Sequence, residues 1–381
     1  MRRDMIIFER MKCSLYMCAA AAAMVLGGCR EAKDEVDIVV GTYGGQIYRY
    51  SFDRSSLEFS LKGTAEAKDP SYVLARGNDL FAVSECGGDS GIYSFTADTD
   101  GAIRQTAELH QTGADPCFLM LYGEGAETYA MTADYSGGSV SMFPIKEGAV
   151  QERCAQLRFT GSGPVTQRQE ASHIHQLKEV PEAEGYVLAS DLGADVIRVL
   201  KVNEGNMVHL GDIPCPAGSG PRHLEFGKGE YRDILYCMAE LSGDVLVYSM
   251  KEGSTMPSDF TLIQQIRADE ANAGGSADIH IHPSGKWLYT SHRLENDGIS
   301  TFSIKEDGTL EKTGYVRTGI HPRNFMITEQ GDFLLVACRD DRMVQVFGIG
   351  EDGSLIPTSG LLMFESDRPS SITEVRPSVN Q

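Results

Sequence analysis

The sequence predicts an all-β chain folded as a seven-bladed β-propeller, closed by pairing of its N- and C-terminal strands. Three observations predict it. A strand-like unit recurs seven times, a second unit precedes six of those copies, and one further copy of the second unit stands alone near the C-terminus. Forty-one glycines against a single tryptophan suit many short strands joined by tight turns.

In chain order, the first element lies outside the fold. Arg2, Arg3, Arg10 and Lys12 form a basic start, residues 15–26 an apolar run, and Leu26-Gly27-Gly28-Cys29 a lipobox. Residues 1–29 therefore read as a lipoprotein signal peptide with lipidation at Cys29, too short in its apolar part for a membrane span. Residues 30–36 read as a polar tether and 37–381 as one propeller domain. The expected location is the bacterial cell envelope, with membrane contact through the lipid anchor alone.

The recurring unit is a small or polar turn followed by alternating apolar residues, as in Gly243-Asp244-Val245-Leu246-Val247-Tyr248. Its aligned residues Ile47, Ile92, Val140, Val196, Val245, Ile299 and Val344 are spaced 45, 48, 56, 49, 54 and 45 positions apart, the period of a four-stranded blade. Several copies run into Gly-containing turns, at residues 251–253, 306–308 and 351–353. The second unit opens at Pro70, Pro116, His173, Pro221, Ser276 and Pro322 and reads as two more strands. A pair of β-sandwiches would show no such period. The solitary copy at residues 369–375 completes the count, so 37–40 and 370–375 are expected to meet in one blade and remove the exposed sheet edges.

The heads of the inner strands are then Tyr72, Phe118, His175, His223, Asp278, Asn324 and Ser371, with His173, Arg222 and Arg323 just before them. The second strands end at Glu85, Asp134, Asp191, Glu240, Arg293 and Arg339. Propellers gather function where the channel opens, because strand heads and loops from every blade converge there. His173, His175, Arg222, His223, Glu240, Arg293 and Arg323 have the composition of an anion site with a proton carrier. Arg offers a fixed fork to a carboxylate, phosphate or oxyanion, and a His or a partly desolvated Glu can activate water.

The same residues carry a resemblance. Ser172-His173-Ile174-His175, the Asp191-Leu192-Gly193-Ala194-Asp195 turn, Pro221-Arg222-His223, Ala239-Glu240-Leu241, His292-Arg293 and His321-Pro322-Arg323-Asn324 resemble the lactonase family of seven-bladed propellers. That family includes a bacterial 6-phosphogluconolactonase and a fungal carboxymuconate cyclase. The resemblance implies hydrolysis of a small-molecule sugar lactone. It implies a catalytic set of His173 or His175, Arg222, Glu240 and Arg293, with Glu240 or a His activating water. Substrate contacts are expected from His223, Arg323, Asn324 and Asp191. The chain departs from the family at Asp134 and His292, where Asn is usual, and at Asp278, where the family's strand opening has Glu.

Export argues for an unphosphorylated aldonolactone, since phosphosugars belong to the cytoplasm. Two other functions fit the same fold: a non-catalytic envelope propeller binding a ligand or protein through its channel, and a lactone-forming isomerase of the muconate type. No cofactor and no metal are expected, although His173-Ile174-His175 and His280-Ile281-His282 space imidazoles as metal sites do. A net charge of −20 argues against nucleic acid as a partner. A monomer is expected. Cys86, Cys117, Cys154, Cys215, Cys237 and Cys338 suggest no disulfide framework and read as free thiols.

Overall fold

The computed structural model describes residues 34–98, 101–251 and 255–375. The signal peptide, Cys29, most of the tether and part of the 251–253 turn lie outside the described residues. Seven antiparallel sheets form, six of four strands and one of five. Blade 5 shows the pattern: Pro221–Phe226 innermost, then Ile234–Ala239, Asp244–Met250 and Phe260–Arg267. Blade 3 differs in that two short strands, Ala149–Val150 and Ala155–Arg158, share its outer position.

Blade 1 is built from both parts of the chain. Arg368–Glu374 lies innermost and pairs with Glu35–Tyr43, setting Val39 opposite Thr373 and Val40 opposite Ile372. The N-terminal strand starts at Glu35, so the last two residues expected in the tether already pair with Asp53 and Phe52.

Apolar side chains fall into seven clusters, and each cluster joins two neighbouring blades. Second strands such as Phe333–Cys338, buried from Leu334 onward, read as continuous apolar runs because both of their faces are covered. Each fully buried aliphatic or aromatic side chain in these seams contributes roughly 1.5–3 kcal/mol.

At the head of every inner strand the ladder slips. The register breaks between Pro70 and Tyr72, Pro116 and Phe118, Ile174 and Gln176, Pro221 and His223, Ser276 and Ile279, and Pro322 and Asn324, and in blade 1 opposite Gly41 and Thr42. A bulge adds one residue and re-aims its side chain. Ser71, Cys117, His175, Arg222, Arg323 and Ser370 are the added residues, and blade 6 has Ala277 and Asp278 there. This corrects one expected alignment: Gln176, not His175, is the counterpart of His223, and His175 is the counterpart of Arg222.

The residues after the bulges clasp neighbouring blades. Gln176 accepts from Leu224 N (2.5 Å), Asp278 from Phe325 N (3.2 Å), Asn324 from Ile372 N (2.8 Å) and Ser371 from Val73 N (3.2 Å). In blades 2 and 3 the same position holds Tyr72 and Phe118, whose rings meet at 4.5 Å. Replacing Leu335, fully buried between blades 7 and 1, with Ala should cost about 2–5 kcal/mol in chemical denaturation. Leu361→Ala, on an exposed outer position, should change stability by less than about 0.5 kcal/mol. Equal losses at both sites would contradict a core divided among inter-blade seams.

Candidate active site

Antiparallel pairing puts the heads of the inner strands and the ends of the second strands on one face of the ring, as Pro221 opposite Ala239 shows. Glu240 follows Ala239 directly and Arg222 is the bulged residue beside it. Arg293 follows the equivalent strand of blade 6, Trp287–His292. The three come together. Arg222 Nε lies 2.8 Å from Glu240 Oε2, although its N–H is not aimed along a hydrogen bond, and Arg293 Nη2 lies 3.3 Å from Oε1.

A third guanidinium, which sequence reasoning missed, completes the cage: Arg168 Nη2 donates to Glu240 Oε1 at 2.7 Å. Arg168 stands on residues 159–173, the longest connection from an outer strand to the next inner strand. The adjacent Gln169 is fully buried and holds this loop by donating to Leu192 O (2.8 Å) and Asp195 Oδ1 (2.7 Å). Gly193 lets the loop pass, because a Cβ there would sit 1.7 Å from Ala171 O. The length of the loop was the available signal, since long loops on a rigid frame carry function.

Burial alone would raise the Glu240 pKa, but the charges of Arg293, Arg222 and Arg168 outweigh it and hold it at about 2. Burial also brings Arg293 down to about 9, against the pull of Glu240. Backbone carbonyls share the load: Arg222 Nη1 donates to Ala277 O (2.6 Å) and Arg293 Nε to Gly275 O (2.7 Å). One carboxylate faces three guanidinium groups, so the mouth carries an excess of positive charge inside a strongly acidic protein. Held in its ionised form, Glu240 braces the three guanidinium groups around one carboxylate.

The histidines separate by their partners. His173 stacks on Tyr135 (4.4 Å) and turns Nδ1 to Tyr135 O and Nε2 to Glu170 Oε1, so both ring nitrogens are occupied. His175 is buried with Nδ1 unpartnered, and burial with the nearby Arg222 charge keeps it well below its ordinary pKa. His223 turns Nδ1 to Asp278 Oδ1 (2.7 Å) and leaves Nε2 buried without a partner. Burial and Arg222 lower its pKa to about 4, against the pull of Asp278. His321, also missed, sits 3.3 Å from Arg293 Nη1 and is held to about 3 by burial and that charge.

Arg323 faces a separate pair: Glu85 Oε2 is 3.7 Å away and the Tyr43 ring lies 5.2 Å below its guanidinium. Tyr43 in turn donates to Glu85 Oε2. Between the bulged residues and those after them lies a cavity of about 10 Å³, on the scale of one water, bounded by Ser71, Tyr72, Cys117, Arg222, His223, Arg323, Asn324 and Ser370.

Two expected substrate contacts are structural instead. Asp191 is fully buried, and its carboxylate is saturated by Arg198 Nε and Nη2, Ser172 Oγ and the backbone N–H groups of His173 and Ala194. Asn324 lines the cavity but spends its amide between Asp278 Oδ2 and Ile372 N. His292, the departure beside Arg293, is buried among Ser276, Thr290 and Ser300. The two His-Ile-His runs do not converge, and among the described residues no three His, Cys, Asp or Glu side chains group as metal ligands. The six described cysteines are unpaired.

The model of the family described as "Lactonase, 7-bladed beta-propeller" matches residues 37–367. A 6-phosphogluconolactonase of Bacillus subtilis is 29% identical over 361 residues, covering 89% of this chain and 93% of the relative. A 6-phosphogluconolactonase of Formosa agariphila is 32% identical over 320 residues, covering 80% and 88%. Among solved structures, a Bacteroides fragilis candidate 6-phosphogluconolactonase matches with TM-score 0.83 and 35% identity over 90% of this chain and 99% of its own. The periplasmic gluconolactonase of Pseudomonas aeruginosa matches with TM-score 0.79 and 25% identity over 90% and 99%. The closed ring of seven blades and these matches along nearly its whole length make the chain a member of the seven-bladed β-propeller lactonase family.

Proposed function

We propose that this protein hydrolyses a sugar lactone, an unphosphorylated aldonolactone, at the mouth of its channel. The observation that carries the reading is the cage of Arg222, Arg293 and Arg168 around the single carboxylate of Glu240. The names of the relatives support the reaction class. Water adds to the lactone carbonyl, and the developing oxyanion is stabilised by preorganised guanidinium donors, an effect worth about 2.7–4 kcal/mol per donor in comparable sites. Arg323, at the edge of the site, meets substrate hydroxyl or carboxylate groups. The proton leaves water for a neutral channel histidine. Glu240 fixes the guanidinium forks so that they need not reorganise during the reaction.

The lipobox at Cys29 supports an envelope location, and with it a substrate without phosphate. Cys29→Ser should move the protein from the membrane fraction to the soluble fraction and end incorporation of labelled palmitate. Unchanged fractionation and labelling would remove the anchor from the account.

Acid release from D-glucono-1,5-lactone, followed with a pH indicator above the spontaneous rate, tests the activity. Arg293→Ala and Glu240→Gln should each lower turnover more than about tenfold. Unchanged rates would exclude both from the mechanism. No acid release from any lactone of a panel, with ultraviolet loss of a muconate diene, would favour the lactonising isomerase instead.

The role of Glu240 has its own signature. Its folded pKa is depressed to about 2, so its stabilising contribution is complete above the ordinary carboxylate pKa near 4.5 and is lost as pH falls through about 2. The stability gap between wild type and Glu240→Gln should therefore be largest near neutrality and narrow between about pH 4.5 and 2. A gap independent of pH, measured by denaturant unfolding, would contradict the ion cage.

A further inference from the structure

We propose that His223 is the general base that activates the attacking water and that Asp278 positions it, an inference that rests on the lactone-hydrolase reading. The dyad crosses from blade 5 to blade 6. Asp278 Oδ1 accepts from His223 Nδ1–H at 2.7 Å, which fixes the ring and leaves the Nε2 lone pair directed away from Asp278. That Nε2 atom is buried and unpartnered, in a residue only 3% exposed. A native protein rarely leaves such an atom unmet, so it points to a bound group.

Two further buried atoms without a partner lie close by: Ser71 Oγ, in a residue that bounds the cavity, and His175 Nδ1, in a ring 5.2 Å from that of His223. The cavity has the size of a single water and reaches Arg222, which also touches the mouth through Glu240. A water there would be shared between His223 and the lactone held above it.

Asp278 is itself held from several sides. It accepts from His280 Nε2 (3.1 Å), Asn324 Nδ2 (2.5 Å), Phe325 N (3.2 Å) and its neighbour Ile279 N (3.0 Å). Burial would favour its neutral form, but His280 and His223 keep it ionised, well below the usual carboxylate range. The two histidines of the expected catalytic set differ from His223. His173 has both nitrogens occupied, and His175 is hydrogen-bonded to no carboxylate.

The step balances within the site. His223 Nε2 takes a proton from water as its oxygen bonds to the carbonyl carbon, and the carbonyl π pair moves onto the oxygen held by Arg222. The carbonyl then re-forms, the ring C–O bond breaks, and the leaving ring oxygen receives the proton from His223. The product is a hydroxy acid that ionises in solvent, and the imidazole returns to its starting form.

The groups facing His223 are Arg222 on its own strand, Asp278 and His280 from blade 6, His175 from blade 4, the Phe118 ring from blade 3 and Arg323 across the cavity. The test uses the full chain on D-glucono-1,5-lactone. In His223→Asn the amide nitrogen can still reach Asp278, so kcat should fall about 100-fold or more with KM within about threefold, and the acid limb of kcat/KM should vanish. In Asp278→Asn the charge that raises the His223 pKa is gone, so the acid limb should move to lower pH while kcat falls more than about tenfold. A clasp between blades alone would lower the melting temperature without moving that limb.

Wild-type kcat and acid limb in His223→Asn would overturn the assignment while leaving the lactonase reading intact; a wild type inactive on every lactone would overturn both. Should either variant fail to fold, 15N resonances of the wild-type histidines decide. A neutral His223 protonated on Nδ1 between pH 6 and 8 supports the base, and protonation on Nε2 refutes it.

Discussion

Every blade of this protein is apolar on both faces, and a sheet of that kind is stable only between two others. Six blades obtain their neighbours as the chain proceeds around the ring. Blade 1 requires strands from opposite parts of the sequence, with Ile38, Val39, Val40 and Gly41 paired to Glu374, Thr373, Ile372 and Ser371. That pairing completes the seam with blade 7, where Ile372 packs near Leu335 and Val346. It also supplies Ser371 Oγ to Val73 N in blade 2. The entropy of closing so long a loop grows only logarithmically with its length, so burying two seams outweighs it.

Closure also determines where charge can be placed. Once the ring is shut, seven strand heads surround one axis, and a bulge in each turns one side chain toward the centre. Small or weakly polar residues occupy four of these positions, at Ser71, Cys117, Ala277 and Ser370, while Arg222, Arg323 and His175 occupy the others. Concentrating guanidinium groups this way opposes stability, because burying charge is costly and like charges repel. The fold offsets part of that through Glu240 and the carbonyls of Ala277, Gly275 and Ser276. The guanidinium charge left uncompensated suits the mouth to a group that gains negative charge, as the proposed reaction requires.

The blade count, the closure and the convergence of Arg222, Glu240 and Arg293 were legible in the sequence because they follow from a period near fifty residues. The bulges were not. An added residue leaves the apolar pattern on either side intact, so the shared imidazoles of His175 and His223 suggested an alignment that the backbone does not adopt. The period also locates strand ends without saying where their side chains turn. Asp191 and Glu240 both stand at the end of a second strand, yet the register sets Asp191 level with Ala239, one residue before Glu240, so Asp191 is consumed by Arg198 within its blade while Glu240 faces three arginines from different segments. Arg168 escaped notice because it belongs to a connecting loop, outside the repeat that made the other positions comparable.

The division between mouth and channel gives the chemistry a timing. In the resting protein burial, with the Arg222 charge added to it, keeps the His223 imidazole neutral. As water adds to a carbonyl beside Arg222, negative charge develops on the oxyanion and offsets the guanidinium charge. The proton affinity of His223 therefore rises during the event that releases the proton. When the tetrahedral centre collapses, the oxyanion charge is lost, Arg222 repels the imidazolium again, and the proton is driven onto the departing ring oxygen. An arginine next to a histidine on one bulged strand thus links proton uptake and proton return to the making and breaking of the same bond.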